Sequence, residues 1–245
     1  MERHGGPMNI AHRGASAYAP ENTRAAFRLG LEMGAHGLET DLRYTRDGVV
    51  VLMHDAAVDR TTDGHGEVAA LTWEEVRRLD AGGSFGRDWA GERVPSLSEF
   101  LDEFAYRTHL ALELKSDALE AVVARELRAR GLGDSVTVTA FEWGRLERMQ
   151  VELPAVRTGY LAAASDEAGL RRLVAAGVRQ ACPRADAITA ALVERAHALG
   201  LEVRAWGVRS DEEMLRALDA GVDGMTVNWP DRLAAELRRR ESSLV

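Results

Sequence analysis

Between Ile10 and Asp55 the chain carries a dense set of groups able to move protons and hold ions. Three short apolar runs end, in order, on His12-Arg13, on Glu39-Thr40-Asp41 and on His54-Asp55. Residues two apart on a strand project from one face, so Glu39 and Asp41 point into one place. Two adjacent carboxylates repel unless a cation sits between them. His12 and His54 titrate near neutrality, and Arg13 offers a fixed charge for an anion. Each feature alone is ordinary: a histidine at a strand end is usually a polar loop residue, and an Asp-Gly after a strand is usually a hairpin. Joined by Glu113-Leu114-Lys115 further along, they form a candidate constellation of metal, acid/base pair and anion clamp.

Positioning these groups requires strands that end together. Nine strands are expected: Asn9–Arg13, Gly37–Arg43, Val49–His54, His109–Lys115, Ser135–Phe141, Ala155–Leu161, Val178–Pro183, Glu202–Val208 and Gly224–Trp229. Helices between them close on Gly34, Gly131, Gly177, Gly200 and Gly221, and the last three recur at the length of a βα unit. That alternation predicts a single (β/α)8 TIM barrel, residues 1–245, with residues 1–8 as a short N-terminal extension. Asp47-Gly48 leaves no room for a helix, so Tyr44–Leu52 is read as a hairpin above the rim that returns His54 to the level of Asp41. In H-L-A-L-E-L-K, Leu110, Leu112 and Leu114 face helices while Ala111, Glu113 and Lys115 face the interior, a costly place for charge except at the open end. Asn22 or Thr23 should cap a helix running from Arg24 to Met33. A Thr72…Glu75 box should open a helix from Trp73 to Leu79, and helices are also expected over Ile188–Leu199 and Glu212–Ala220. The Gly-rich stretch Ala81–Arg93 is a second insertion after the second strand, and its Phe85 and Trp89 are candidate ligand contacts.

The blocks A-H-R-G, P-E-N-T, L-E-T-D, H-D-x-x-x-D-R-T-T-x-G-x-G and L-E-L-K, in that order, resemble the glycerophosphodiester phosphodiesterase family from about Asn9 to Asp231. The resemblance implies a TIM barrel that hydrolyses glycerophosphodiesters with a divalent cation, a substrate-side insertion near Phe85 and Trp89, and His54 as the acid. Family members more usually carry an acidic residue at the position of Asn228 and a serine at that of Ala140. From the residues themselves, Glu39, Asp41 and Glu113 are three oxygen donors, which favours Mg²⁺ or Ca²⁺ over zinc. His12 and His54 form the expected acid/base pair, with neither role assigned by the residues. Arg13 and Lys115 are read as phosphate binders, Glu21 as orienting Arg13 or His12, and Trp206 as a pocket wall. Asp55 and Asp59 are expected to hold the loop after His54. A lysophospholipid-cleaving barrel, with Phe85, Trp89, Trp206 and Trp229 building an apolar groove, and an inactive phosphodiester-binding barrel are the alternatives.

Composition bounds the rest. The net charge is −8 and no basic segment stands out, which argues against nucleic acid as a partner; Arg238 to Arg240 read as a solvated helix end. An acidic protein must supply local positive charge to attract a phosphate. No apolar run is long enough to span a membrane, and Met1 to Met8 lack the apolar core of a signal peptide. The single cysteine, Cys182, excludes an internal disulfide and is expected to be packed and inert. A cytoplasmic enzyme acting on a small molecule is expected, its homo-oligomeric state left open.

Overall fold

The computed structural model describes residues 6–133 and 135–243; residues 1–5 of the expected extension lie outside them. In chain order the strands are β1 (Met8–His12), β2 (Gly37–Tyr44), β3 (Val50–Leu52), β4 (His109–Leu114), β5 (Val136–Ala140), β6 (Arg157–Ala162), β7 (Gln180–Pro183), β8 (Glu202–Ala205) and β9 (Gly224–Val227). The helices are α1 (Arg24–Glu32), α2 (Trp73–Val76), α3 (Leu97–Phe104), α4 (Glu120–Ala129), α5 (Trp143–Glu152), α6 (Glu167–Ala175), α7 (Ala190–Ala198), α8 (Asp211–Asp219) and α9 (Pro230–Ser242).

Pairing runs β1-β9-β8-β7-β6-β5-β4-β2, and a further β1–β2 pairing closes the ring. With β3 set aside, the parallel strands make an eight-stranded TIM barrel. β3 is antiparallel to the upper part of β2, with Leu42 opposite Leu52 and Tyr44 opposite Val50. The expected hairpin is therefore present, turned at Gly48 with φ 79°. Met53 N donates to Asp41 O at 3.0 Å, which sets the returning arm beside the end of β2.

Alternation along each strand divides the molecule into two shells. Leu110, Leu112 and Leu114 of β4 join Phe27, Phe100, Leu101 and Val123 in the core between sheet and helices. Glu39, Asp41 and Glu113 point the other way, and the register places Asp41 directly beside Glu113. A smaller core of Val51, Met53, Val58, Val68, Val76 and Val94 lies under the insertion that follows β3. Leucine and valine supply most of both cores, and burying each such side chain stabilises the fold by about 1.5–3 kcal/mol.

Some expected boundaries shift. Thr23, not Asn22, is the α1 cap: its hydroxyl accepts from Ala26 N. α2 keeps the predicted capping box but ends at Val76, because Arg78 and Leu79 bond three residues back and tighten the chain. α7 starts at Ala190, where Thr189 caps it and Ile188 is extended. Arg239 and Arg240 of α9 both bond Glu236, as a solvated helix end does. Cys182 is buried, and burial pushes its thiol pKa up. Among the described residues no helix is long and apolar enough to cross a membrane.

Candidate active site

At the C-terminal ends of the strands, His12, Arg13, Glu39, His54, Glu113 and Lys115 line one cavity of about 200 Å³. A larger cavity, about 1260 Å³, opens at the other end, lined by the first residues of six strands, among them Met8, His109 and Glu202. Size does not decide between them. Barrel chemistry sits where strands end and loops begin, and the ionisable cluster is there.

Glu39, Asp41 and Glu113 are all buried, at 4, 0 and 7 % exposure, and one oxygen from each lies within 4.8 Å of the others. Burial, then the nearness of Asp41 and Glu113, pushes the Glu39 carboxyl up to about 8. Burial followed by Asp41 likewise raises Glu113. Burial acts the same way on Asp41, but Arg13 and Lys115 overrule it and hold that carboxyl below its ordinary value. Arg13 Nε is 3.0 Å from Asp41 Oδ2; Lys115 Nζ is 2.6 Å from Glu113 and 3.4 Å from Asp41 Oδ1. Asp41 Oδ1 is buried and accepts no hydrogen bond, and Thr139 Oγ1 is in the same condition on the cavity wall. Three converging carboxylates, one with an oxygen that accepts no hydrogen bond, fit a hard divalent cation.

The turn after β1 holds Arg13 in place. Arg13 itself has φ 56°, a strained conformation for a residue with a side chain, and its N–H donates to Glu39 at 3.1 Å. Gly14 follows at φ 82°, where a Cβ would meet the backbone of Ala26 at 2.4 Å. Asn22, also at positive φ, donates to Asp41 Oδ2 at 3.2 Å and accepts from Thr40 at 2.8 Å, so the P-E-N-T turn braces the carboxylate from behind.

The two histidines face the cavity with different partners. His12 Nδ1 is 2.6 Å from Asn228 Oδ1, while its Nε2 is 3.9 Å from Glu39. His54 Nδ1 is 2.6 Å from Asp55, and Arg43 bonds the His54 carbonyl at 2.7 and 2.9 Å. In both rings the oxygen partner accepts from Nδ1–H, which leaves Nε2 for chemistry. Burial, then Arg13, lowers His12 to about 4; burial also lowers His54, against the pull of Asp41 and the Asp55 hydrogen bond. Asp55 also bonds Arg60, and Arg60 reaches Glu21 at 2.7 and 2.8 Å. Glu21 binds Arg13 at 2.9 Å, so of its two expected partners it takes Arg13 and not His12. A continuous chain results: His54, Asp55, Arg60, Glu21, Arg13, Asp41. Asp59 accepts from Gly66 N–H and His65, fastening the loop after His54.

Trp206 lines the cavity, its indole N–H bonded to Ala162 O at 3.0 Å. Phe141 stands edge-on to it at 5.0 Å, remains 42 % exposed and has Lys115 Nζ 5.7 Å from its ring centre. Phe85 and Trp89 do not line this cavity; their rings pack edge-on against each other at 6.4 Å. Asp80 accepts from the N–H groups of Gly82, Gly83 and Gly91 and folds the Gly-rich loop onto itself. Trp229 is buried and unavailable for a groove. Sequence reasoning overlooked Phe141, Arg60 and the bracing role of Asn22. Arg60 entered only within the D-R-T-T block of the family resemblance, and Asn22 only as a cap candidate of the P-E-N-T helix start.

Residues 12–232 match the glycerophosphoryl diester phosphodiesterase family. A glycerophosphodiester phosphodiesterase of Caldanaerobacter subterraneus is 34% identical over 94% of this chain and 97% of its own. Its counterpart from Bacillus subtilis is 31% identical over 91% and 84%. Among solved structures, an Oleispira antarctica phosphodiesterase in complex with the product sn-glycerol-3-phosphate superimposes with a TM-score of 0.86 at 28% identity, covering 94% of this chain and 97% of that one. With the barrel, the buried triad and the matched span in agreement, the chain belongs to the glycerophosphoryl diester phosphodiesterase family, a family of phosphoric diester hydrolases.

Proposed function

We propose that this enzyme cuts glycerophosphodiesters into sn-glycerol 3-phosphate and an alcohol, using a divalent cation, Mg²⁺ or Ca²⁺, held by Glu39, Asp41 and Glu113. The observation that carries this is the sharing of one 200 Å³ cavity by two histidines, two of the three carboxylates and the cations Arg13 and Lys115. Asp41 is buried directly behind it. Bound there, the metal would withdraw charge from a non-bridging phosphate oxygen and ease deprotonation of the attacking oxygen.

The chain supplies the rest. His12, kept neutral by burial and held by an uncharged amide, accepts the proton of the attacking oxygen at Nε2. His54 has the carboxylate partner that an imidazolium needs, so it donates to the departing alkoxide. Lys115 and Arg13 offset the charge gathering on the phosphoryl oxygens. Phe141 and Trp206 form an apolar wall of the same cavity.

Incubation with glycerophosphocholine, coupled to glycerol-3-phosphate dehydrogenase, should yield signal that chelator abolishes and Mg²⁺ or Ca²⁺ restores. Full turnover in excess chelator by metal-free protein would refute the reading. The exposed ring of Phe141 also favours a second substrate class, lysophospholipids cleaved on the headgroup side. Choline release from lysophosphatidylcholine faster than from glycerophosphocholine would put that class first.

A further inference from the structure

Arg204 of β8 is 2 % exposed, with its guanidinium inside the barrel. A buried charge is costly unless an opposite charge and hydrogen bonds meet it. Its Nε donates to Gln180 Oε1 at 2.9 Å, one Nη to Thr226 Oγ1, and the other reaches Cys182 Sγ at 3.7 Å. None of these partners is charged. Glu202, on the same face of the same strand, is engaged by Arg157 instead. Arg204 lines both the lower cavity and the catalytic one, so an uncancelled positive charge stands on the wall of the latter. The field reaches the triad, because Arg204 is among the charges that draw Glu39 back toward ionisation.

One fixed charge acts with opposite sign on the two ligands this cavity would hold. It repels a divalent cation and attracts a phosphate anion. We propose that Arg204 sets the balance of the catalytic cavity, weakening its hold on the divalent cation and strengthening its hold on the phosphodiester. This deepens the metal-dependent reading above and rests on it.

Binding distinguishes charge from scaffolding. Calorimetry should follow Mg²⁺ and Ca²⁺ without substrate, and sn-glycerol 3-phosphate with and without metal, in wild type, Arg204→Met, Arg204→Gln and Arg204→Lys. The neutral variants should bind the cation more tightly and glycerol 3-phosphate about tenfold more weakly, the scale of one charge interaction across about 12 Å at an effective dielectric of about 20. Arg204→Lys, which keeps the charge, should stay near wild type in both. Damage to the scaffold would weaken both ligands together. That result, no change in either, or failure of both neutral variants to fold would overturn the proposal. If wild type binds no divalent cation, the metal reading fails while the glycerol 3-phosphate arm still judges the charge of Arg204.

Discussion

His12 and His54 are set apart by the atoms that hold their Nδ1 positions, an amide oxygen for one and a carboxylate for the other. In the proposed mechanism this difference separates two roles that the residue types alone left open. Either histidine replaced by alanine should lower kcat by about 10²–10⁴, the usual worth of positioned proton transfer. A nitrophenyl phosphodiester, whose leaving group needs no proton, should restore His54→Ala and leave His12→Ala slow. Rescue of His12→Ala instead would reverse the assignment, and losses below about threefold in both, well short of that range, would remove the pair from the mechanism. The candidates His12, Glu39, Asp41, His54, Glu113 and Lys115 could be read from the sequence because each ends an apolar run. Asn228 as the His12 partner could not, since 216 positions separate them and only the β1–β9 pairing joins them. Arg204 was hidden for a similar reason: alternation marks its face, but the neutral neighbours that leave its charge unspent come from β7 and β9.

At the scale of elements, local chemistry was readable where it has a local cause. Asp47-Gly48 dictates a tight turn, and the hairpin follows. The capping box expected at Thr72 lies within four residues and forms, and Ser96 with Glu99 makes a second one. The Gly-rich loop is the opposite case. Its composition shows that it is not core, but its direction depends on Asp80 gathering three backbone N–H groups, which composition does not reveal. Phe85 and Trp89 therefore meet each other and leave the cavity wall to Phe141 and Trp206. A substrate small enough for the 200 Å³ cavity should not feel the outer pair. Phe85→Ala with Trp89→Ala should leave kcat/KM for glycerophosphoglycerol unchanged and alter it only for bulkier headgroups. Loss of kcat/KM for the small substrate, with the melting temperature unchanged, would return the loop to the site.

The whole molecule stores ionisable groups at both ends of its barrel, and its stability should report them through pH. His12 at the upper end and His109 at the lower are both lowered to about 4, in each case chiefly by burial. Between pH 4 and 6.5 the unfolded chain binds protons that these folded histidines refuse, so stability rises with pH across that window. Glu39 acts in the other direction. Its folded pKa of about 8 lies above the ordinary carboxylate value, so the folded protein holds a proton that the unfolded chain has lost. Stability from that proton is complete at low pH and is lost as pH climbs toward 8. Above pH 6.5 the histidine contribution is over and Glu39 remains. Metal-free protein should therefore lose on the order of 1–2 kcal/mol between pH 6.5 and 8, at about 1.4 kcal/mol per unit for one proton. A bound divalent cation takes the place of that proton. Saturating Mg²⁺ or Ca²⁺ should flatten the slope and add about 2.7 kcal/mol at a hundredfold excess over Kd. Glu39→Gln should flatten the slope without metal and lose most of the stabilisation with it. Chemical denaturation at three pH values, with and without cation, reads all of these at once. A slope above pH 6.5 that neither metal nor Glu39→Gln changes would place the charge responsible outside the triad.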